Sequence, residues 1–281
     1  MSSPFDNLRM LEVEVHSYCN RKCSFCPNSF IDRTGPTKYL PARTWWQMLE
    51  DLAAANWAGK LTFSRYNEPF ADPIFYTRLA EAHGKLPGAL LHTNTNGDFL
   101  TSSALWHAYS FGGLRSLNIQ LYIPESRPFN AFEAEGVLRD IEKRIPTFTF
   151  TRTVGRGRCR WYEWTGTDPR MPNLRVRAYA RDFSRDGTNR CDLDVLRKRP
   201  EIRLAPCREP MHSMYIDVSG HVMPCCNMRS DYPPHKDYAL GWMSATPGCL
   251  AKIWNGERAI AFRKVVGREG PKPLPCLQCH F

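Results

Sequence analysis

Between Met10 and about Phe150 the chain alternates short apolar runs with longer amphipathic stretches. Strand-length runs fall at Leu11 to Val15, Lys60 to Ser64, Ala89 to Thr93, Leu117 to Tyr122 and Thr147 to Arg152. Helical patterns fill intervals between them at Pro41 to Ala55, Pro73 to His83 and Ser102 to Ser110. Pro41 suits a helix start, where its missing N–H has no partner to lose, and Thr101 stands where a hydroxyl caps the third helix. Strand followed by helix, repeated, predicts parallel strands with helices outside, an open or closed α/β barrel. In such barrels chemistry gathers at the C-terminal ends of the strands.

Beyond Gly155 this texture breaks. Arg, Gly, Pro and Trp become frequent, and seven of the eight cysteines that follow Cys26 come after Pro169. We read a boundary in 155–205 and a small cysteine-supported unit beyond it. A length of 281 residues accommodates one large and one small domain, and 42% apolar content keeps the chain globular. No run of eighteen apolar residues spans a bilayer, and MSSPFDNLRM has no secretory pattern, so a cytoplasmic location and no membrane partner are expected.

That location changes how the eleven cysteines are read. The cytosol keeps thiols reduced and an odd number cannot all pair, which favours metal ligation or thiol chemistry over disulfides. The net charge of +10 raises nucleic acid as a partner. The basic residues are dispersed apart from denser regions at Arg152 to Arg160 and Arg197 to Arg203, with no nucleic-acid module, so a solvated basic surface is the better account.

Three thiols stand in CNRKCSFC, directly after the first strand run: Cys19, Cys23 and Cys26. Short spacings let thiolates converge on three irons of one cubane cluster, leaving the fourth iron open to a substrate. Structural zinc asks for four ligands, which this loop alone does not supply. The loop, with aromatic Phe25 before its last cysteine, resembles that of the radical S-adenosylmethionine (SAM) enzymes. The resemblance implies a partial (β/α)6 TIM-like barrel and a 4Fe-4S cluster whose open iron chelates SAM and splits it to a 5′-deoxyadenosyl radical. SRYNEP ends the second strand where that family carries a Gly-Gly-Glu-Pro-like turn, which implies that Asn67 and Glu68 accept from the SAM ammonium. Tyr66 and Asn67 replace the two glycines. TNTNGDFLT resembles the third-strand Thr-Asn-Gly segment and nominates Asn94; Gln120 stands where relatives have a fourth-strand serine, and Arg152 is placed to pair with the SAM carboxylate.

Toward the C-terminus, Cys207 and Cys225 bracket Gly220 as C-x12-G-x4-C, and Cys276 and Cys279 close a C-x2-C. This resembles the twitch domain of the same family, a short form of its SPASM domain, and implies a second 4Fe-4S cluster on those four cysteines; a zinc ion would use the same thiolates. The resemblance divides the chain into 1–155 as radical SAM core with five β/α units, 156–204 as a bridge completing the barrel, and 205–281 as the twitch domain.

Cys159, Cys191, Cys226 and Cys249 remain. A lone cysteine is most often a small buried apolar residue. Cys249, in the Pro-Gly turn TPGCL, is nevertheless our expected hydrogen-atom donor. In length, paired motifs, the bridge WYEWTG and this cysteine, the chain is similar to the twitch-domain epimerases of aminoglycoside biosynthesis. The implied reaction is inversion at C5‴, neomycin C to neomycin B, with an external flavodoxin or ferredoxin as electron donor. The alternative is a dehydrogenase that oxidises a secondary alcohol of an aminoglycoside or its precursor and needs a base instead of a thiol. An aminoglycoside is a polycation and the chain is basic, so a local acidic cleft is required, with Glu12, Glu14, Asp72 and Glu125 at predicted strand ends as possible members.

Overall fold

A computed structural model of the chain describes residues 3–153, 162–183, 193 and 201–279. Among these, ten strands form one mixed sheet: β1 (Met10–Val13), β2 (Lys60–Thr62), β3 (Leu90–Thr95), β4 (Ser116–Gln120), β5 (Thr149–Thr153), β6 (Tyr162–Thr167), β7 (Arg175–Ala180), β8 (Ser213–Ile216), β9 (His221–Met223) and β10 (Gly241–Trp242). Their order is β10-β9-β8-β1-β2-β3-β4-β7-β6-β5. The six neighbours from β8 to β7 run parallel. Antiparallel strands extend both edges.

Successive side chains of a strand point to opposite faces, and here the two faces differ in chemistry. One face carries Leu11, Val13, Leu61, Leu91, Leu117, Ile119, Val176 and Ala178 into the main hydrophobic core. Helices cover it: α1 (Ala42–Ala54), α2 (Ile74–Lys85), α3 (Ser102–Ser110) and α4 (Ala131–Glu142). In α1, Trp45, Met48, Leu49 and Leu52 recur at three- and four-residue spacing and are fully buried. Each such side chain contributes about 1.5–3 kcal/mol by leaving water. The other face carries Glu12, Thr62, His92, Asn118 and Gln120, buried as well but polar. The alternation MLEVEVH thus supplies a core-facing row and a polar interior row from one strand.

Helix starts follow local chemistry. Pro41 precedes α1, and the Thr101 hydroxyl accepts from Ala104 N–H at 3.2 Å to cap α3. The expected fifth parallel strand is a correction. Residues 149–153 form the outermost strand, paired antiparallel to β6 alone, and β7 occupies the place beside β4. TFTRT is mostly exposed, as an edge strand with one wet face should be. The real neighbour, RVRAYA, alternates correctly but lies in the stretch where Arg, Gly and Pro had obscured the pattern.

The C-terminal segment enters the same sheet. β8 pairs with β1 over Met10↔Ser213 to Val13↔Ile216. Four helices complete it: α5 (Glu209–His212), α6 (Pro233–Lys236), α7 (Cys249–Trp254) and α8 (Glu257–Val266). Among the described residues no helix is long and apolar enough to cross a membrane.

Candidate active site

The C-terminal ends of the parallel strands open on a cavity of about 890 Å³, counted to its mouth. Cys19, Cys23 and Cys26 line it from the loop after β1, all three as free, half-buried thiols. Burial pushes Cys19 up to about 12 and Cys23 up to about 11, and the neighbouring thiols add to both shifts. Thiols crowded this way gain from a cation that binds them as thiolates, so the donor set fits a metal centre. Among the described residues no three His, Cys, Asp or Glu side chains form a single-ion site. A cubane attaches its thiolates to separate irons and asks for a wider triangle.

The cysteine loop is clamped from two sides. Arg21 donates through Nε and Nη2 to the Asp98 carboxylate at 2.7 and 2.5 Å, and Asn20 donates to Asp98 at 2.7 Å. On the other side Glu68 N–H donates to the Tyr18 carbonyl at 2.8 Å. Loops after β1, β2 and β3 are thereby held as one unit, a second layer of support that orients ligands in metal sites.

Glu68 lies on the cavity wall with its carboxylate accepting from Thr95 Oγ1 at 2.6 Å, Asn96 N–H at 2.7 Å and Phe70 N–H at 3.3 Å. Burial outweighs these bonds and pushes its pKa up to about 7. Asn67 also lines the cavity, but its side chain closes the turn. Its Oδ1 accepts from Arg65 N–H and its Nδ2 donates to the Phe63 carbonyl. Asn94 and Gln120 complete the polar wall; Asn94 donates to Ser64 Oγ at 2.8 Å and Gln120 to Tyr179 OH at 2.5 Å. Phe25 stacks on Phe183, centroids 3.7 Å apart and planes within 2°, giving an apolar wall for a flat ring.

Arg152 is not in this cavity. It sits on the edge strand β5, ion-paired with Glu135 at 3.4 Å and lying over Tyr162 and Trp164. The cationic and aromatic positions that do line the cavity at the end of the fifth parallel strand are Tyr179, Arg181 and Phe183. Sequence reasoning missed them together with β7.

Cys249 lies elsewhere in the fold. It is the first residue of α7, 9% exposed and packed in the main hydrophobic core. Its thiol accepts from Ser244 N–H and contacts the Trp242 carbonyl at 3.7 Å. Asp51 of α1 accepts from Gly248 N–H and Leu250 N–H, both at 2.8 Å, and so ties the TPGCL turn to the helical layer. A thiol held there does not line the cavity.

Cys207, Cys225 and Cys279 are buried and Cys276 is half-buried. Burial raises Cys207 and pushes Cys276 up to about 12; Cys279 adds to both shifts, Cys207 adds to that of Cys276, and Cys279 also acts on Cys225. Cys225 is raised first by its hydrogen bond with Cys226 and then by burial. Four thiols with mutual repulsion again fit a thiolate-binding centre. Cys159 and Cys191 lie outside the described residues. Of the carboxylates expected in an acidic cleft, Glu14 accepts from Tyr66 N–H at 2.9 Å, Asp72 binds Tyr39 OH, and Glu125 accepts from Ser24 N–H at the outer mouth. Glu12 is buried, with Oε2 lacking a hydrogen-bond partner, and burial raises its pKa.

Comparison with known proteins agrees with this geometry. Residues 207–280 match the SPASM family, an iron-sulfur cluster-binding domain. The fold as a whole is similar to that of BtrN: its complex with AdoMet and 2-DOIA covers 93% of this chain and 88% of that one, at a TM-score of 0.65 and 20% identity. BtrN in an open conformation covers 98% and 92%, at 0.62 and 21%. The family match bears on the C-terminal cysteines, and the two structural likenesses show the fold. An S-adenosyl-L-methionine-dependent 2-deoxy-scyllo-inosamine dehydrogenase of Niallia circulans is 25% identical over 275 residues, 96% of this chain and 92% of that protein. The epimerase expectation is overturned, because the relative that spans the chain is a dehydrogenase.

Proposed function

We propose that the protein is a radical SAM dehydrogenase that oxidises a secondary alcohol of an aminoglycoside precursor, an aminocyclitol, to a ketone. The observation that carries this reading is that three thiols and the SAM-type polar residues share one cavity, while the thiol expected to return hydrogen packs in the main hydrophobic core and is not among the cavity-lining residues. When bound, SAM and the two clusters supply a hydrogen-abstracting 5′-deoxyadenosyl radical and an acceptor for the electron left on the substrate. The alcohol loses one hydrogen atom, one proton and one electron, so the ketone is two mass units lighter.

Within this reading Cys19, Cys23 and Cys26 hold the first cluster and Cys207, Cys225, Cys276 and Cys279 the second. Glu68 accepts from the SAM ammonium, Asn94 and Gln120 orient polar groups beside it, and Phe25 with Phe183 packs the adenine. The alcohol proton passes to a base at the cavity wall or to solvent. The external electron donor is a flavodoxin or ferredoxin.

The test is an anaerobic reaction of reconstituted protein with SAM, a strong reductant and 2-deoxy-scyllo-inosamine in deuterated water. A product two mass units lighter is expected. A product of unchanged skeleton carrying one solvent deuteron at a C–H bond would sink the reading.

A further inference from the structure

Between the two sets of thiols lies a stack of three side chains. The Tyr66 ring has the Arg229 guanidinium over it at 4.2 Å and that of Arg65 at 5.1 Å, and its hydroxyl donates to the Cys226 carbonyl at 3.0 Å. Tyr66 packs with Cys225, Cys226 and Met223, and Cys26 and Cys276 border the same cluster. The two cations differ in what balances them. Arg229 is fully buried and pairs with Asp231 at 2.6 Å. No carboxylate among the described residues lies within ion-pair distance of Arg65. Arg65 instead lines the cavity, donates through Nη2 to Asn227 Oδ1 at 2.9 Å, and keeps Nε buried without a partner. Asn227 in turn donates its N–H to Cys225 Sγ at 3.5 Å. Burial opposes the charge of Arg65, but the facing Cys226, Tyr66, Glu12 and Cys225 hold it firmly protonated.

We propose that Arg65 is a positioning residue for electron transfer: a fixed positive charge, held on Tyr66 and Asn227, that raises the reduction potential of the second cluster on its cavity side. The inference rests on the two-cluster reading above. Adding an electron to a cluster adds negative charge, and a nearby cation not engaged in a salt bridge stabilises that reduced state. In the proposed oxidation the substrate gives up one electron after losing a hydrogen atom and a proton, and a cluster held by Cys207, Cys225, Cys276 and Cys279 would accept it.

The experiment is a redox titration of both clusters in reconstituted protein, followed by electron paramagnetic resonance, for the wild type, Arg65→Met, Arg65→Lys and Asn227→Asp. Arg65→Met is expected to lower the second cluster's midpoint by about 59 mV, a tenfold change in its oxidised-to-reduced ratio at fixed poise. Arg65→Lys keeps most of the wild-type value, and Asn227→Asp, which gives Arg65 a counter-ion, lowers the midpoint without removing the arginine. A midpoint that stays put in Arg65→Met, or falls equally in the Lys and Met variants, overturns the inference and leaves the two-cluster reading intact. So does a raised KM with an unmoved midpoint, which would make Arg65 a substrate contact. Wild-type protein that loads only one cluster overturns the two-cluster reading and the inference with it.

Discussion

Glu68 governs how the cavity answers to pH. Its pKa of about 7, raised by burial from an ordinary 4.5, leaves it half-protonated near neutrality in the ligand-free protein. An ammonium needs the ionised form as acceptor, so SAM affinity measured by equilibrium dialysis is expected to fall as pH drops through 7. Glu68→Gln should bind weakly and show no such step; a wild-type profile flat across that range would remove Glu68 from the role. The same shift has a stability sign. The folded state keeps a proton that the unfolded chain releases, so the contribution is fully present below about 4.5 and is lost as pH rises through 7. Cys249→Ala should leave ketone formation unchanged and cost about 1 kcal/mol of stability, read as a lower thermal midpoint. At this scale the cysteine loop was legible because its chemistry is local in sequence. The pairing of Arg65 with Asn227, 162 residues apart, was not.

Elements were legible where period and caps agreed. Five strands and three helices fall within a few residues of their expected places, because apolar alternation and the caps at Pro41 and Thr101 mark them. The fifth strand was misplaced in the sheet, although not in the chain, because a Thr-Phe alternation reads the same in an edge strand as in a parallel one, and periodicity carries no information about the partner. The TPGCL turn failed for a related reason. Its place is set by Asp51, a residue of α1 nearly two hundred positions earlier that serves as the N-terminal cap of α7. Asp51→Ala should therefore destabilise the protein by about 1–2 kcal/mol, seen in denaturant unfolding, with turnover per folded molecule preserved. A large fall in that turnover with stability unchanged would place the turn in the chemistry after all.

For the whole molecule, composition set the class of chemistry but not the way the two cysteine groups are joined. A separate C-terminal unit was the natural reading of a change in texture, yet β8 lies directly beside β1, in the middle of the parallel array. A chain ending at residue 204 should then expose one edge of β1 and aggregate; a soluble, cooperatively unfolding fragment would contradict this dependence. The pairing also sets an order of events on the ribosome. At about 5–20 residues per second, β1 waits on the order of 10–40 s for the partner that flanks it on that side. Throughout that interval the nascent Cys19 to Cys26 loop hangs from a strand with an open edge, where its thiols are open to oxidation. Iron delivery to the first loop is then expected late in synthesis, and a chain stalled before Ser213 should hold no iron there, read from the iron content of isolated ribosome-bound chains.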